Sequence, residues 1–234
     1  MLDDRDYMRR RPRYELQWSV TVLIVAINVL IFVLQNLVDY RSNYPYDHFA
    51  LSVNGLKHGY IWQLITFQFL HLPLNRGGIF HLLGNLYAIW LLGPAVEEKI
   101  GRLGFIRVYL LSGTLGGLLQ IIAGYFSPEH FGGMVVGASA GVFGVLAVFA
   151  TFFPARHLHV FFLPFTIRAD VLLTTAVAGT LAGLFFPSGN VAQCAHLGGI
   201  FMGFIFARNL AHARKTIGVL GLNGRTPLKI ISTP

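Results

Sequence analysis

Charged side chains are scarce in this sequence. Of its 234 residues, 12% are Asp, Glu, Lys or Arg and 54% are hydrophobic, and the mean hydropathy is +0.60. Soluble domains contain about 25% charged residues, so the deficit indicates lipid rather than water as the main solvent. A very apolar soluble enzyme is the alternative, but such a protein does not need apolar runs long enough to cross a bilayer.

Several other features are missing. The single cysteine, Cys194, excludes an intramolecular disulfide. The sequence contains no His-Glu-x-x-His string, which argues against a zinc protease. Asp170 has no partner aspartate inside an apolar run, which argues against an aspartyl protease. No two-fold internal repeat of the kind found in transporters is present. We expect no metal, no cofactor and no nucleic-acid partner.

Six apolar runs are long enough, or nearly so, to cross a bilayer as helices, for which about 20 residues are needed. They are 18–38, 79–96, 103–125, 139–153, 171–186 and 192–207. The sequence therefore predicts an all-α, polytopic membrane protein with a six-helix domain over 18–207. A basic N-terminal segment, 1–17, and a basic C-terminal tail, 208–234, are expected to flank it. The first run is too long for a cleaved signal peptide and is expected to remain as an anchor.

Basic residues are distributed unevenly among the predicted connections. Fifteen of the 18 Lys and Arg residues precede the first run, follow the last, or lie in the two connections predicted on that same side. Only Arg41, Lys57 and Arg76 fall on the other side. Because cytoplasmic segments carry the excess of Lys and Arg, both termini are expected in the cytoplasm, with the chain in the cell (inner or plasma) membrane. The net charge of +8 thus indicates a membrane surface rather than nucleic acid.

The connection 39–78 is long and mixes aromatic side chains with polar ones such as Gln63 and Gln68. Trp and Tyr favour the boundary between membrane and water. We therefore expect a structured outer loop that lies partly in this boundary.

Polar side chains inside predicted spans are candidates for function, because burying them in lipid costs free energy. The second run carries His81 and Asn85, which share a helix face at i and i+4. The fourth run follows Gly137 and begins at Ser139, and the sixth contains His196. These groups lie near the starts of even-numbered spans, so they share one layer close to the outer surface. Each alone has a packing explanation, but together at one depth they favour catalysis.

Catalysis by a serine nucleophile needs a base and donors for the oxyanion. Ser139 requires a base within hydrogen-bond reach, and the neutral imidazole of His196 is the candidate. His81, Asn85 and the Ser139 backbone N–H are expected to donate to the oxyanion of a tetrahedral intermediate. The acidic residues near the spans lie at the wrong depth, so a Ser–His dyad is predicted. Phe143, one turn after Ser139, is expected to stack on the imidazole in place of an orienting carboxylate.

These motifs resemble those of the rhomboid family. The matching residues are His81-Leu82-Leu83-Gly84-Asn85, then Gly137-Ala138-Ser139, then Ala195-His196 followed by Gly199 and Gly203. Each motif is weak alone, but their order and spacing over residues 18–207 are specific. The stretch 92–101 also resembles the family's end of helix two, in which Glu97 matches a structural glutamate.

The resemblance implies an intramembrane serine protease whose substrates are transmembrane segments of other membrane proteins, cut near their outer ends. It implies a six-helix fold around a water-filled cavity. By position, the nucleophile would be Ser139, the base His196, and the oxyanion donors His81 and Asn85. Gly137 and Gly199 are expected to support them, and the fifth helix with the loop 187–194 would form a lateral gate.

Two positions and one stretch depart from the family pattern. Ala140 stands where many members have Gly, Gln63 stands where they often have Arg, and the stretch 71–79 is longer than usual. None of these changes removes a catalytic group, so we expect altered loop geometry rather than lost activity. The alternative function is that of a catalytically inactive rhomboid-like binding or quality-control factor. Such proteins lack the serine or the histidine, and both are present here.

Overall fold

The computed structural model describes residues 19–39, 43–161, 164–186 and 192–219. The predicted segment 1–17, residues 187–191 of the predicted gate loop and the residues after 219 lie outside the described part of the chain. In chain order the α-helices are α1 (Val20–Asp39), α2 (Tyr44–Phe49), α3 (Val53–Lys57), α4 (Gln63–Thr66), α5 (Gly78–Ile100), α6 (Arg102–Phe126), α7 (Pro128–Phe131), α8 (Ser139–Phe152), α9 (Ala169–Phe185) and α10 (Gln193–Val219). Short 3₁₀ turns cover Phe67–Phe69 and Leu74–Arg76.

Four helices of the described chain are long and apolar enough to cross a membrane. They are α1, α5, α6 and the Gln193–His212 part of α10. The apolar helices α8 and α9 are shorter, with 14 and 17 residues. At a rise of 1.5 Å per residue, a helix as short as α8 extends about 21 Å, less than the roughly 30 Å of a hydrocarbon core. The result is a mostly helical bundle with four helices of membrane-spanning length.

Two features of the structure lie outside the prediction. Helix α10 runs on to Val219, beyond residue 207, where the last predicted apolar run ends. Hydropathy marks where contact with lipid can end, whereas the helix continues through good helix formers such as Ala, Leu, Arg and Lys. An antiparallel pair of strands, β1 (His157–His159) and β2 (Thr166–Arg168), is also present. Three-residue strands are too short to give an alternating pattern that a sequence reading can detect.

Helix α8 lies at the centre of the bundle and packs against α5, α6 and α10. Most of its side chains are buried, and they are small or β-branched apart from Leu146 and three Phe residues. A Cβ atom at Gly199 of α10 would overlap the carbonyl oxygen of Ala140, and one at Gly203 would overlap that of Gly144. The backbones of α8 and α10 are therefore in direct contact. In lipid, such close approach replaces the hydrophobic driving force as the source of helix association.

Glu97 joins α5 to the start of α1. Its carboxylate accepts hydrogen bonds from the backbone N–H groups of Val20 (2.8 Å) and Thr21 (2.9 Å). It also accepts from the hydroxyl groups of Ser19 and Thr21, both at 2.8 Å. The first N–H groups of a helix have no partner within it, so Glu97 acts as an N-cap supplied by a neighbouring helix.

The segment 43–77 is folded through its own polar contacts. Gln63, where family members often have Arg, is fully buried and donates to the backbone carbonyls of Asp47 (3.2 Å) and His48 (3.3 Å). An isolated bridge joins Leu51 to Val135, with N···O distances of 3.0 and 2.8 Å. An uncharged side chain thus anchors this loop, and the bridge ties it to the strand-like stretch that leads into Ser139.

Candidate active site

The side chains of Ser139 and His196 lie within hydrogen-bond distance of each other. Ser139 is the first residue of α8, and His196 lies in the first turn of α10. The Oγ atom of Ser139 lies 2.9 Å from Nε2 of His196. The contact of the two helix backbones allows a distance this short, because both side chains project from the same end of adjoining helices. The hydroxyl can donate to an imidazole whose proton is on Nδ1, and this tautomer is inferred from the contact.

Phe143 lies one turn beyond Ser139 and covers the face of the imidazole. The ring centroids of Phe143 and His196 are 4.3 Å apart and the planes are inclined by 20°. Stacking restricts rotation of the imidazole, as the third member of a catalytic triad does by hydrogen bonding.

The turn before Ser139 requires glycine. Gly137 has φ of +121°, a conformation that favours glycine. A Cβ atom there would lie 2.8 Å from both Cε1 and Nε2 of His81. The Gly137 N–H donates to the carbonyl of Phe67 at 2.9 Å. The edge of the His81 ring therefore lies directly against the backbone that carries the serine.

The other bonds of His81 and Asn85 define which protons remain available. The Nδ1 atom of His81 accepts the N–H of Leu72 at 3.3 Å, which leaves the ring proton on Nε2, the nitrogen nearest Gly137. Asn85 donates one amide hydrogen to the carbonyl of His81 at 2.8 Å and keeps a second one. The first N–H groups of a helix lack intrahelical partners, and Ser139 begins α8. Three residues with an available hydrogen-bond donor, His81, Asn85 and Ser139, thus line one cavity.

A cavity of about 670 Å³ contains these groups. Ser139, His196, His81 and Asn85 line its less exposed part. Exposed residues surround the opening: Asn43, Asp47, Asn75, Arg76, Gly133 and Met134. The arrangement places a hydroxyl, an imidazole and several hydrogen-bond donors in one open cavity.

The family model described as Rhomboid domain matches residues 58–213 of the chain. The match includes more than half of the sequence. It also includes the cavity floor, meaning the less exposed part lined by His81, Asn85, Ser139 and His196. The chain belongs to the rhomboid family. With several apolar helices of spanning length, it is a multi-pass membrane protein.

Named relatives of this rhomboid include bacterial and mitochondrial proteins. It is 30% identical over 194 residues to Rhomboid protease GluP of Bacillus subtilis (strain 168), covering 82% of this chain and 35% of the relative. It is 30% identical over 190 residues to Putative rhomboid protease YdcA of the same strain, covering 81% and 87%. The human Presenilin-associated rhomboid-like protein, mitochondrial, is 27% identical over 188 residues, covering 77% and 45%. The rhomboid thus spans about a third of GluP and less than half of the human relative.

The acidic side chains of Asp170 and Glu97 make their contacts away from His196. Asp170 forms an ion pair with Arg168, with an O···N distance of 2.6 Å, and Glu97 is occupied at the start of α1. Within the described part of the chain, no carboxylate hydrogen-bonds to His196, and no group of three His, Cys, Asp or Glu side chains could hold a metal ion. Cys194 is half-buried and does not line the cavity.

A buried glutamine that the prediction omits holds the start of α10. The Oε1 atom of Gln120, on α6, accepts the N–H of Ala195 at 3.3 Å, and its Nε2 donates to the carbonyl of Phe131 at 3.2 Å. Ala195 directly precedes His196, so Gln120 fixes the backbone from which the imidazole projects. The available signal is a polar side chain inside the third apolar run, the same signal that identifies His81.

A second network outside the predicted site residues positions His81. Gln35 of α1 donates to the hydroxyl of Tyr46 and to the carbonyl of His71, both at 2.7 Å, and accepts the His71 N–H at 3.0 Å. This fixes the backbone at 71 and 72, from which Leu72 donates to His81. The rings of His71 and His81 meet edge to face at 5.1 Å. Burial, with a smaller contribution from His81, lowers the pKa of His71 to about 3, so this ring is neutral near pH 7.

Proposed function

We propose that this rhomboid is a serine endopeptidase that uses a Ser139–His196 dyad to hydrolyse peptide bonds in or near transmembrane segments of other membrane proteins. The observation that carries the proposal is the 2.9 Å contact between Ser139 Oγ and His196 Nε2 inside a cavity of a membrane-embedded bundle. A hydroxyl and an imidazole rarely meet in such a setting unless chemistry requires it, because each costs free energy to bury in lipid. The similarity to GluP, which is named as a rhomboid protease, supports the same activity.

The proposed topology has six spans over residues 18–207, with α8 and α9 crossing beside the four longer helices. Helix α8 is surrounded by other helices, so its 14 residues need not match the bilayer thickness. The excess of basic residues at the termini supports a chain in the cell membrane whose terminal segments, 1–17 and 208–234, lie in the cytoplasm. In this orientation α5, α8 and α10 begin at the outer side. The cavity then opens outward, and a substrate is cut near its outer end.

The proposed reaction proceeds in two steps. As the Ser139 oxygen attacks the substrate carbonyl carbon, its proton moves to Nε2 of His196. The negative oxygen of the tetrahedral intermediate accepts hydrogen bonds from His81 Nε2–H, the free amide hydrogen of Asn85 and the Ser139 N–H. The imidazolium gives its proton to the leaving amine, and an ester on Ser139 remains. Water then attacks the ester, with His196 taking its proton and returning it to Ser139.

The test is cleavage of a reporter with one transmembrane segment by the purified full chain in detergent, with products identified by mass spectrometry. We expect one cut near the outer end of the segment, and none with Ser139→Ala. Cleavage that persists in the Ser139→Ala protein would refute the proposed nucleophile. Binding of the reporter without any cleavage by the wild type would instead favour the inactive binding factor.

A further inference from the structure

The opening of the catalytic cavity carries two charged side chains among the described residues that line it. These are Arg76 and Asp47, and both are exposed. The polar groups of the floor are already assigned to the reaction. The charges at the opening have no part in it, although they border the cavity in which a substrate would bind.

The backbone that carries Arg76 is held in a fixed position. The N–H groups of Arg76 and Gly78 both donate to the carbonyl of Pro73, at 2.9 and 3.0 Å. Leu74 donates to the side chain of Asn36 on α1 at 3.1 Å. Gly77 between them has φ of +77°, which closes the turn before α5 begins. Although Arg76 is exposed, its Cα is therefore anchored to two helices beside the active site.

The guanidinium of Arg76 has no carboxylate partner among the described residues. The ion pairs of this part of the chain involve Arg102, His130 and Arg168. Arg76 thus remains available to a carboxylate that arrives with a ligand. A guanidinium group binds carboxylates through two parallel hydrogen bonds, which adds geometric selectivity to the charge.

Helix ends reinforce the positive potential. Helices α5, α8 and α10 all begin at this cavity, since Phe80, Ser139 and His196 of their first turns line it. Each helix N-terminus carries about half a positive charge. These three ends and Arg76 together outweigh the single carboxylate of Asp47. A negative group at the opening is therefore favoured over a positive one.

From this arrangement we infer that Arg76 selects substrates with an acidic side chain in the segment just outside the membrane, next to the bond that is cut. The inference rests on the proposed function and names a feature of its substrates. The contact is solvent-exposed, so its effect is modest: we expect about a fivefold preference for an acidic over a neutral residue. The preference should weaken at high salt, because exposed charges are screened.

The experiment compares three transmembrane reporters that differ at one outer position, which is Asp, Asn or Lys. For the wild type we expect kcat/KM to fall in the order Asp, Asn, Lys, with the differences in KM rather than in kcat. Arg76→Gln should bring the Asp and Asn reporters to similar values, and Arg76→Glu should favour the Lys reporter. Asp47→Asn should increase the preference for Asp. Lys57→Gln is the matched control, since it removes an outer-loop charge that does not line the cavity, and it should keep the wild-type order.

The results distinguish failure of the inference about Arg76 from failure of the proposed protease function. Equal kcat/KM for all three reporters, or the same order in Arg76→Gln as in the wild type, would overturn the inference while leaving the protease intact. An equal loss on all three reporters in Arg76→Gln that depends on anionic lipid would also overturn it, in favour of a lipid phosphate contact. If no reporter is cleaved, the proposed protease function is refuted, but the inference about Arg76 is not yet decided. Binding of the same reporters to the Ser139→Ala protein then decides the inference, because the affinity order should still be Asp, Asn, Lys.

Discussion

The Nε2 atom of His196 lies 2.9 Å from the Oγ atom of Ser139, although 57 positions separate the two residues in the chain. Two glycine contacts between α8 and α10 make this distance possible, because no side chain intervenes between the backbones. The catalytic proposal therefore depends on helix packing as much as on the two functional groups. Each of the following variants alters one element of that arrangement.

The contact at Gly199 can be tested by adding one methyl group. A Cβ there overlaps the carbonyl oxygen of Ala140, so Gly199→Ala should push α8 and α10 apart. Overpacking of this kind costs about 1–3 kcal/mol. We expect a lower melting temperature in detergent and a lower kcat. Gly179→Ala on α9 is the control, because no atom lies within 4 Å of a Cβ at that position. Equal behaviour of the two variants would show that the close approach is unimportant.

Asn85 is expected to act in the chemical step rather than in folding. Among the contacts described, its amide bonds only to the carbonyl of His81 on its own helix, and the residue lines the cavity. Losing one oxyanion donor lowers kcat by about a hundredfold to a thousandfold in other enzymes. We expect a loss in this range for Asn85→Ala, with KM and the melting temperature little changed. An unaltered kcat would mean that His81 and the Ser139 N–H stabilise the oxyanion without it.

Gln120 is expected to position His196 through the backbone of Ala195. Gln120→Leu leaves the Ala195 N–H and the Phe131 carbonyl without partners, at a cost of about 1–3 kcal/mol. A small displacement of the base can lower the rate by as much as about a hundredfold. We expect kcat to fall with KM nearly constant.

The control for Gln120 is Gln63→Leu. Gln63 is equally buried and also bonds to backbone groups, but it holds the segment 43–66 rather than α10. It should show a similar loss of stability and a smaller loss of kcat. If the two variants lose kcat in proportion to stability, the role of Gln120 is structural only.

His71 should make the protein less stable in acid. Its pKa is lowered to about 3 in the folded chain, mainly by burial, against an ordinary value of 6.5. Below pH 6.5 the unfolded chain takes up a proton that the folded chain does not, so stability is fully present above this pH and falls as the pH decreases toward 3. The slope is at most about 1.4 kcal/mol per pH unit.

The measurement is unfolding in detergent over this pH range. His71→Leu should flatten the acid limb relative to the wild type, whereas His58→Leu, which removes an exposed histidine, should leave it unchanged. An acid limb that is identical in all three proteins would assign the loss of stability to other groups.

The sequence predicts most of the site because lipid makes polar residues conspicuous. His81, Asn85 and His196 stand out from apolar runs, and the motifs at 81–85, 137–139 and 195–203 identify the family, which the Rhomboid domain match confirms. Counting residues in the runs also places His81, Ser139 and His196 near helix starts, where the structure has them. The six-span topology, the orientation and the catalytic roles stay predictions.

The supporting contacts could not be predicted in the same way. Gln120 and Gln35 bond to backbone groups that come from distant parts of the chain, and a sequence does not reveal which carbonyl or N–H will be nearby. Gln63 is expected to alter the loop geometry where family members often have Arg, and its amide makes bonds to several backbone groups. Uncharged amides both donate and accept, which suits them to a buried loop.

The most direct measurement is labelling of the purified protein with a fluorophosphonate, followed by peptide mapping. Such reagents modify a serine whose proton can be taken by a base, so they report the Ser139–His196 pair without any substrate. We expect modification of Ser139 in the wild type and in Asp170→Asn, whose carboxylate pairs with Arg168, and none in Ser139→Ala or His196→Ala. Modification of Ser139 that continues in folded His196→Ala, or that is lost in folded Asp170→Asn, would contradict the dyad.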